Sequence, residues 1–296
     1  MAKSLIGVSP IMHSIYLGRD TAPLWNGLVA RVSADSNDAE ALMDLSVLLQ
    51  GRGQRKMGLD LQKDAIALQS RFRRVFGTGG GLKVAALVVA GDLMANTPID
   101  FLLEGSDIDL TYLYVDAGTS SLPDLSYFDA VFMAVGESEE NRPVLENIEI
   151  LLAGSGTQLP VMNGYPARVT RLTREGVGAL LAGLPGAVVP TTVTVSPEAL
   201  LPASGSGTAR GGSSVCPGFP IAIRPTGTHA GGGLERIGHS SELAAYFKRC
   251  PSRKYHVAPF IDYSGPDGRY RKQRVVFIDG KAFASHFAVS EHWIVH

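Results

Sequence analysis

A glycine-rich segment, residues 227–233, follows an apolar run that ends in a permanent cation. The apolar run is 219–223, the cation is Arg224, and Pro225 is predicted to end the strand. Four glycines then occur within seven residues. Glycines allow backbone N–H groups to approach phosphate oxygens closely, and a guanidinium offers several donors to the same oxygens. The segment therefore predicts a site for a polyphosphate.

The glycine pattern differs from two common phosphate-binding motifs. No Gly-Lys-Ser/Thr sequence closes it, and its spacing is not that of the dinucleotide fingerprint. The segment 91–95 is not such a fingerprint either. A dinucleotide or nucleotide-sugar enzyme that uses residues 82–150 is therefore the least favoured of the functional hypotheses. The simpler alternative for 227–233 is a β-hairpin whose tip is rich in glycine.

Composition indicates an ordinary globular protein. The chain has 296 residues, a net charge of -1, 45% hydrophobic and 19% charged residues, which favours two domains. The absence of a basic excess argues against nucleic acid as a partner, and no apolar stretch reaches membrane-spanning length. Cys216 and Cys250 have neither metal nor redox spacing, and the N-terminus is a poor signal peptide. We therefore expect a cytoplasmic protein.

The N-terminal part, 1–76, is predicted to be helical. Two apolar stripes within 20–74 are separated by Gly51 and Gly53, and Asn37 or Asp38 can cap the first helix. The pair resembles one tetratricopeptide-type repeat. Because a single repeat is not stable alone, it must pack against another chain or against the next domain. Residues 20–74 are therefore a candidate surface for a protein partner. Three basic residues, Arg71, Arg73 and Arg74, are assigned to the end of the second helix.

The fold class predicted is α/β. After a glycine-rich linker, three apolar runs at 83–90, 109–115 and 129–135 alternate with crossovers, which indicates a parallel sheet in a domain spanning 82–185. A third region, 186–296, reads as an α+β module. The helices predicted in 82–185 are 143–152 and 171–184, and a strand is predicted there at 160–162. In 186–296 the predicted helix is 241–248, and the predicted strands are 190–195, 219–223, 255–262, 271–278 and 282–290. Asp279-Gly280 predicts a two-residue hairpin turn.

Four groups of residues resemble the nucleotide-binding half of the ATP-grasp superfamily. They are Asn163-Gly-Tyr-Pro166 followed by Arg171, the segment 184–191, the strand and glycine loop of 219–233, and the strands of 255–262 and 271–286. The resemblance covers 82–296, most specifically 160–290. The chain is identified on this basis as an ATP-grasp protein of the carboxylate–amine ligase type with a tetratricopeptide-like segment at its N-terminus.

The resemblance implies roles for individual residues. Arg224 stands where the family has a lysine that contacts the phosphates, and Arg171 and Arg274 are the candidate catalytic residues. Phe260 and Ile261 are the expected walls of the adenine pocket, and Asp262 is the expected ribose ligand. The full set of implied nucleotide contacts is Arg224, Thr226, Gly227, Thr228, His229, Gly231, Gly232, Gly233, Phe260, Ile261 and Asp262.

The activity implied by the resemblance is ligation. Such enzymes use ATP and Mg²⁺ to activate a small carboxylate as an acyl phosphate, which an amine then attacks. The acidic magnesium ligands expected on late strands are not visible in this sequence, so no metal ligand is assigned and the nucleotide-binding module is expected to be incomplete, truncated at its C-terminus. The alternative is an inactive nucleotide-binding body that works through protein contacts of the helical segment.

Overall fold

The computed structural model describes residues 4–201, 217–228 and 231–295. Cys216 and His229 lie outside these ranges. The chain divides into two units, Met1–Thr173 (the first unit) and Arg174–His296 (the second unit). No helix in the described ranges is long and apolar enough to cross a membrane.

The first unit contains a five-stranded sheet with the order β1-β3-β2-β4-β5. Strands β2, β3, β4 and β5 run parallel to one another, as predicted from the continuous apolar runs, and only β1 is antiparallel, to β3. The strands are β1 Arg71–Val75, β2 Lys83–Val88, β3 Asp109–Tyr114, β4 Ala130–Met133 and β5 Val161–Met162. The helices are α1 Val8–Tyr16, α2 Ala22–Ala34, α3 Ala39–Gly51, α4 Arg55–Leu68, α5 Ile99–Leu102, α6 Arg142–Ser155 and α7 Pro166–Val169.

Both faces of this sheet are covered, which explains why its central strands are apolar throughout. On one face Leu87 and Met133 pack against Leu145 of α6. On the other face β1 and β3 meet the helical layer, where Phe72 of β1 packs with Leu42 of α3.

The helical pair α3–α4 forms as predicted and packs against the sheet of its own unit. The side chain of Asp38 caps α3, since Oδ1 accepts a hydrogen bond from the N–H of Ala41 at 2.9 Å. Residues of the pair pack with Phe72, Tyr112 and Tyr114 on β1 and β3. The assignment of the pair to the tetratricopeptide class stays a prediction.

The prediction of a helix end at Arg71, Arg73 and Arg74 is wrong, because these residues lie on β1. Phe72 is the one large side chain of this strand that is fully buried, so the alternation of inward and outward residues could not be recognised in the sequence. Two of the three charges are compensated by carboxylates rather than by a helix dipole. Arg73 Nε lies 2.8 Å from Asp109 Oδ1 on β3, and Arg74 pairs with Asp100.

The second unit contains a four-stranded antiparallel sheet of order β6-β9-β7-β8 and a separate hairpin, β10–β11. Its core lies between the four-stranded sheet and α10, where Ile221, Ile223 and Val257 pack against Leu243 and Tyr246. The strands are β6 Val193–Val195, β7 Ile221–Pro225, β8 Glu235–Ile237, β9 Tyr255–Pro259, β10 Tyr270–Ile278 and β11 Lys281–Ser290. The helices are α8 Arg174–Leu181, α9 Pro197–Leu200 and α10 Leu243–Arg249, the last preceded by a 3-10 turn at Ser240–Glu242.

Several predicted elements have different bounds. The strand predicted at 190–195 is Val193–Val195, and the strand predicted at 255–262 is Tyr255–Pro259. The strand predicted at 219–223 is Ile221–Pro225, and it includes Pro225, which lies at its end opposite Tyr255, where a missing N–H is tolerated. The helix predicted at 171–184 is shorter, Arg174–Leu181, and Gly183 follows it with a φ of 79°. The hairpin turn is as predicted, since Asp279 and Gly280 have φ values of 49° and 73°.

Candidate functional site

The face of the four-stranded sheet that is turned away from the core carries a row of three polar residues. Thr194 on β6 lies opposite His256 on β9, and His256 lies opposite Arg224 on β7. Their neighbours Tyr255 and Val257 point into the core, so alternation along β9 places the row on the other face. Thr194 Oγ1 lies 2.9 Å from His256 Nδ1, so any contact of His256 with a ligand is made through Nε2. We call this surface the site face.

Arg224 is held by the loop that follows it. Its Nε and Nη2 atoms donate to Thr228 Oγ1 at 3.1 and 2.9 Å, and Nη2 also donates to the carbonyl oxygen of Thr228. Thr228 Oγ1 in turn donates to the carbonyl oxygen of Pro225 at 2.8 Å. The side chain of Arg224 is therefore fixed in a loop that folds back over the end of β7.

The electrostatics around Arg224 favour an anion. The residue is 8% exposed, and among the described residues no carboxylate lies within ion-pair distance of its guanidinium. Burial, and then the positive charge of Arg174 on α8, lower the pKa of Arg224 from its ordinary value. Buried charges are normally paired. The positive charges of Arg174 and Arg224 repel each other. A bound anion would offset this repulsion and stabilise both charges.

The glycines of the loop have conformations and contacts that other residues would not tolerate. Gly227, Gly231 and Gly233 have φ values of 70°, 76° and 64°. A Cβ atom at Gly233 would lie 2.7 Å from Cδ of Pro225, and the hydroxyl of Tyr246 donates to the carbonyl oxygen of Gly233 at 2.7 Å. The two ends of the loop therefore pack together, and a side chain at Gly233 would force them apart.

One predicted phosphate donor is already used within the protein. The N–H of Thr226 donates to the carbonyl oxygen of Lys254 at 3.1 Å, which extends the pairing of β7 and β9. Only the side chain of Thr226 remains for a ligand in this conformation. His229, another predicted contact, lies outside the described residues.

Phe260, Ile261 and Asp262 directly follow β9. The N–H of Phe260 donates to the carbonyl oxygen of Pro220 at 2.9 Å, and its ring lies 4.8 Å from the guanidinium carbon of Arg236. The ring also makes an edge contact with Trp293, with centroids 5.2 Å apart. Ile261 is 38% exposed. The carboxylate of Asp262 accepts a hydrogen bond from the N–H of Ser264 at 2.9 Å, and this contact lowers its pKa.

Two small residues lie between the polar row and Phe260. Ala222 on β7 is directly opposite Ala258 on β9, two residues along each strand from Arg224 and His256. Cross-strand partners have Cβ atoms about 5 Å apart, and two residues of a strand span about 7 Å. The site face thus has a flat apolar patch next to its cations, a surface on which a planar group can lie.

The two candidate catalytic arginines belong to other parts of the structure. Arg171 is in the first unit, where it lines an open cleft of about 310 Å³ with Tyr165 and Arg168. Arg274 is exposed on β10, opposite His286 and next to a bulge in the pairing of the hairpin. Their roles stay predictions.

Sequence reasoning missed His256 and Arg174. The alternation of buried Tyr255 and Val257 around His256 is a signal that could have placed His256 on the site face. Nothing in the sequence indicates that Arg174 acts electrostatically on Arg224, since the two residues are 50 positions apart and the effect depends on where the fold places α8.

Within the described ranges, no three or more His, Cys, Asp or Glu side chains are grouped so that they could hold a metal ion. Mg²⁺ requires several oxygen ligands. The described residues therefore do not form a magnesium site by themselves.

Comparisons with known proteins give limited likenesses. No family model matches the chain, and no curated protein sequence matches it. D-alanine-D-alanine ligase from Helicobacter pylori is 12% identical with a TM-score of 0.31, over 54% of this chain and 44% of that chain. A RimK domain ATP-grasp protein from Sphaerobacter thermophilus is 18% identical with a TM-score of 0.34, over 64% and 68% of the two chains. VanG D-Ala:D-Ser ligase from Enterococcus faecalis is 13% identical with a TM-score of 0.39, over 71% and 69%.

This chain thus spans less than half of the Helicobacter pylori ligase. At TM-scores below 0.5, the three likenesses carry no argument about what this chain does.

Proposed function

We propose that the second unit binds ATP on the site face. The observation that carries this proposal is Arg224, a buried cation that a glycine-rich loop holds in place and that has no carboxylate within ion-pair distance in the described part of the chain. A nucleotide polyphosphate supplies the missing negative charge, and its base has an apolar surface on which to lie at Ala222 and Ala258.

Each group has a defined role in this proposal. Arg224 donates to phosphate oxygens, with His256 Nε2 and Arg174 as further donors. The N–H groups of the glycine loop, at Gly227, Gly231, Gly232 and Gly233, close over the phosphates together with Thr228 and His229. Phe260 and Ile261 border the base, and Asp262 accepts hydrogen bonds from the ribose hydroxyls.

The reaction class we propose is carboxylate–amine ligation, in which ATP supplies the phosphoryl group that activates a carboxylate. The residues of this chain bind and orient the phosphates, which is the main protein contribution to phosphoryl transfer. Arg171 and Arg274 are the residues that we propose as catalytic. We derive no step through Mg²⁺, because the described residues do not fit it.

The alternative, an inactive nucleotide-binding body that works through protein contacts of the helical segment, is not better supported. One argument for it was that a lone helical pair needs a surface to pack on. The helical pair packs on Phe72, Tyr112 and Tyr114 of its own unit, which meets that need.

Hydrogen–deuterium exchange with saturating ATP tests the proposal. We expect slower exchange of the backbone amides of 226–234 and of the β7 and β9 amides around Arg224 and His256, because a bound polyphosphate accepts hydrogen bonds from the loop. Helix α10 covers the other face of the sheet and serves as the internal reference. Exchange of 226–234 that is the same with and without ATP would contradict ATP binding at this face.

A further inference from the structure

A cavity of about 80 Å³ lies in the first unit, between the helical layer and the sheet. It is bounded by α3, by the chain leading into α1, and by the loop that follows β2. Gly91 in that loop begins the segment 91–95. This segment is not part of the proposed nucleotide site. The cavity lies next to the carboxyl end of β2, and ligand pockets in parallel sheets form at this edge.

Two fully buried carboxylates line this cavity, which we call the helix–sheet cavity. Asp44 on α3 accepts hydrogen bonds from the N–H groups of Ile6 and Gly7 at 2.8 and 3.0 Å. Asp100 on α5 accepts one from the N–H of Ser9 at 3.2 Å through Oδ2. Both carboxylates therefore also anchor the start of α1.

Two buried oxygen atoms of the lining have no hydrogen-bond partner in the described structure. They are Oδ1 of Asp100 and Oε1 of Gln50. Both atoms are acceptors, and buried acceptors are normally satisfied. A ligand that completes the cavity must therefore bring hydrogen-bond donors.

The charges of the lining select the sign of such a ligand. Arg74 pairs with Asp100, whereas no cation among the described residues lies within 4.0 Å of Asp44. When Asp44 is ionised, two carboxylates against one guanidinium leave an excess negative charge, which disfavours an anion and favours a cation. Burial raises the pKa of Asp44 to about 7, so the carboxyl group takes up a proton readily where no other cation compensates it.

The remaining lining suits a short hydrocarbon stem. Val47, Val88, Ile99 and Phe72 provide apolar surface around the acceptors. We propose that the helix–sheet cavity binds a small primary aliphatic ammonium ion, which donates to Asp44, Asp100 and Gln50 and places its stem against the apolar side chains. A primary ammonium group has three donors and no acceptor, which matches a lining whose unsatisfied atoms are all acceptors. This site is independent of the proposed nucleotide site.

Isothermal titration calorimetry with n-propylammonium chloride tests this proposal, with sodium chloride at the same ionic strength and 1-propanol as comparators. We expect saturable binding of the ammonium ion and none of 1-propanol at equal concentration. Asp44→Asn is expected to weaken binding at least about tenfold, since it removes the charge that the ligand compensates. Asp64→Asn, an exposed carboxylate on α4, is the matched control and is expected to bind like the wild type.

Gln50→Leu provides a second variant, because Gln50 is only partly buried and its replacement is compatible with folding. It is expected to weaken binding severalfold while leaving the fold intact by circular dichroism. Three results would overturn the proposal: no saturable binding of n-propylammonium, binding of 1-propanol with equal strength, or binding that both Asp44→Asn and Gln50→Leu leave unchanged. The first of these would mean that the cavity holds only water.

Discussion

Arg224 and His256 are cross-strand partners on the face of the four-stranded sheet that is turned away from its core. Among the described residues no carboxylate lies within ion-pair distance of the Arg224 guanidinium, and Thr194 Oγ1 lies 2.9 Å from Nδ1 of His256. The pair places an arginine and an imidazole side by side at the base of a glycine-rich loop. This relationship gives the proposed nucleotide site a second contact that the sequence motif alone does not contain.

We predict that His256→Gln weakens ATP binding about three- to tenfold, the effect of losing one hydrogen bond to a charged oxygen. The measurement is the dissociation constant from calorimetry at neutral pH. Thr194→Val, which removes only the contact that orients the ring, is expected to have a smaller effect. Equal affinities of wild type and His256→Gln, in proteins with the same melting temperature, would show that His256 is not a phosphate contact.

Gly233→Ala is predicted to destabilise the second unit by about 2 kcal/mol or more, since positive φ and a steric clash act together. The φ of Gly233 is 64°, and the new Cβ would lie 2.7 Å from Cδ of Pro225. Gly268→Ala is the control, because Gly268 has a φ of 73° and open space around it. It should cost only the backbone strain, about 1 kcal/mol. Urea unfolding measures both, and equal costs would contradict the packing of Gly233 on Pro225.

The buried carboxyl of Asp44 predicts a pH dependence of stability. Burial raises the pKa of Asp44 from 3.8 to about 7. The amides of Ile6 and Gly7 and the charges of Arg31 and Arg74 act in the opposite direction but are outweighed, and Asp100 lines the same cavity. Between these two values the folded state binds a proton that the unfolded state does not. The contribution of Asp44 is therefore fully present below pH 3.8 and is lost as pH rises through 7.

The size of this effect is up to about 4 kcal/mol, at about 1.4 kcal/mol for each unit of pKa difference. The free energy of unfolding of wild type minus that of Asp44→Asn should therefore fall steadily between about pH 4.5 and pH 7.5. Asp64→Asn, at an exposed position, should show a constant difference from wild type. A constant difference for Asp44→Asn as well would contradict the raised pKa.

Much of the fold could be predicted because the signals are local. The continuous apolar runs of β2, β3 and β4, the cap at Asp38 and the turn at Asp279 and Gly280 each depend on residues that are adjacent in sequence. Strand β1 could not be recognised, since two of its arginines, Arg73 and Arg74, pair with Asp109 on β3 and Asp100 on α5, which are far from β1 in sequence. The division of the chain at 76–82 and 185–186 stays a prediction.

The site could be predicted only where it is continuous in sequence. Arg224 and the glycine loop are adjacent, so residue type and spacing were sufficient to identify them. His256 lies beside Arg224 because β7 pairs with β9, and Arg174 acts on Arg224 electrostatically from α8. Both relations join residues that are far apart in sequence. The helix–sheet cavity is likewise formed by residues from α3, α4, α5 and the loop after β2, which no sequence motif brings together.

The most direct test of the account is calorimetric titration of ATP into the wild type and Arg224→Gln. Lys248→Gln is the matched control, because it removes one positive charge from an exposed position on α10, the helix that covers the opposite face of the sheet. We predict that Arg224→Gln weakens ATP binding at least about tenfold and that Lys248→Gln leaves it unchanged. Equal affinities of the wild type and Arg224→Gln, or no ATP binding by the folded wild-type chain, would contradict the assignment of the site face as a nucleotide site.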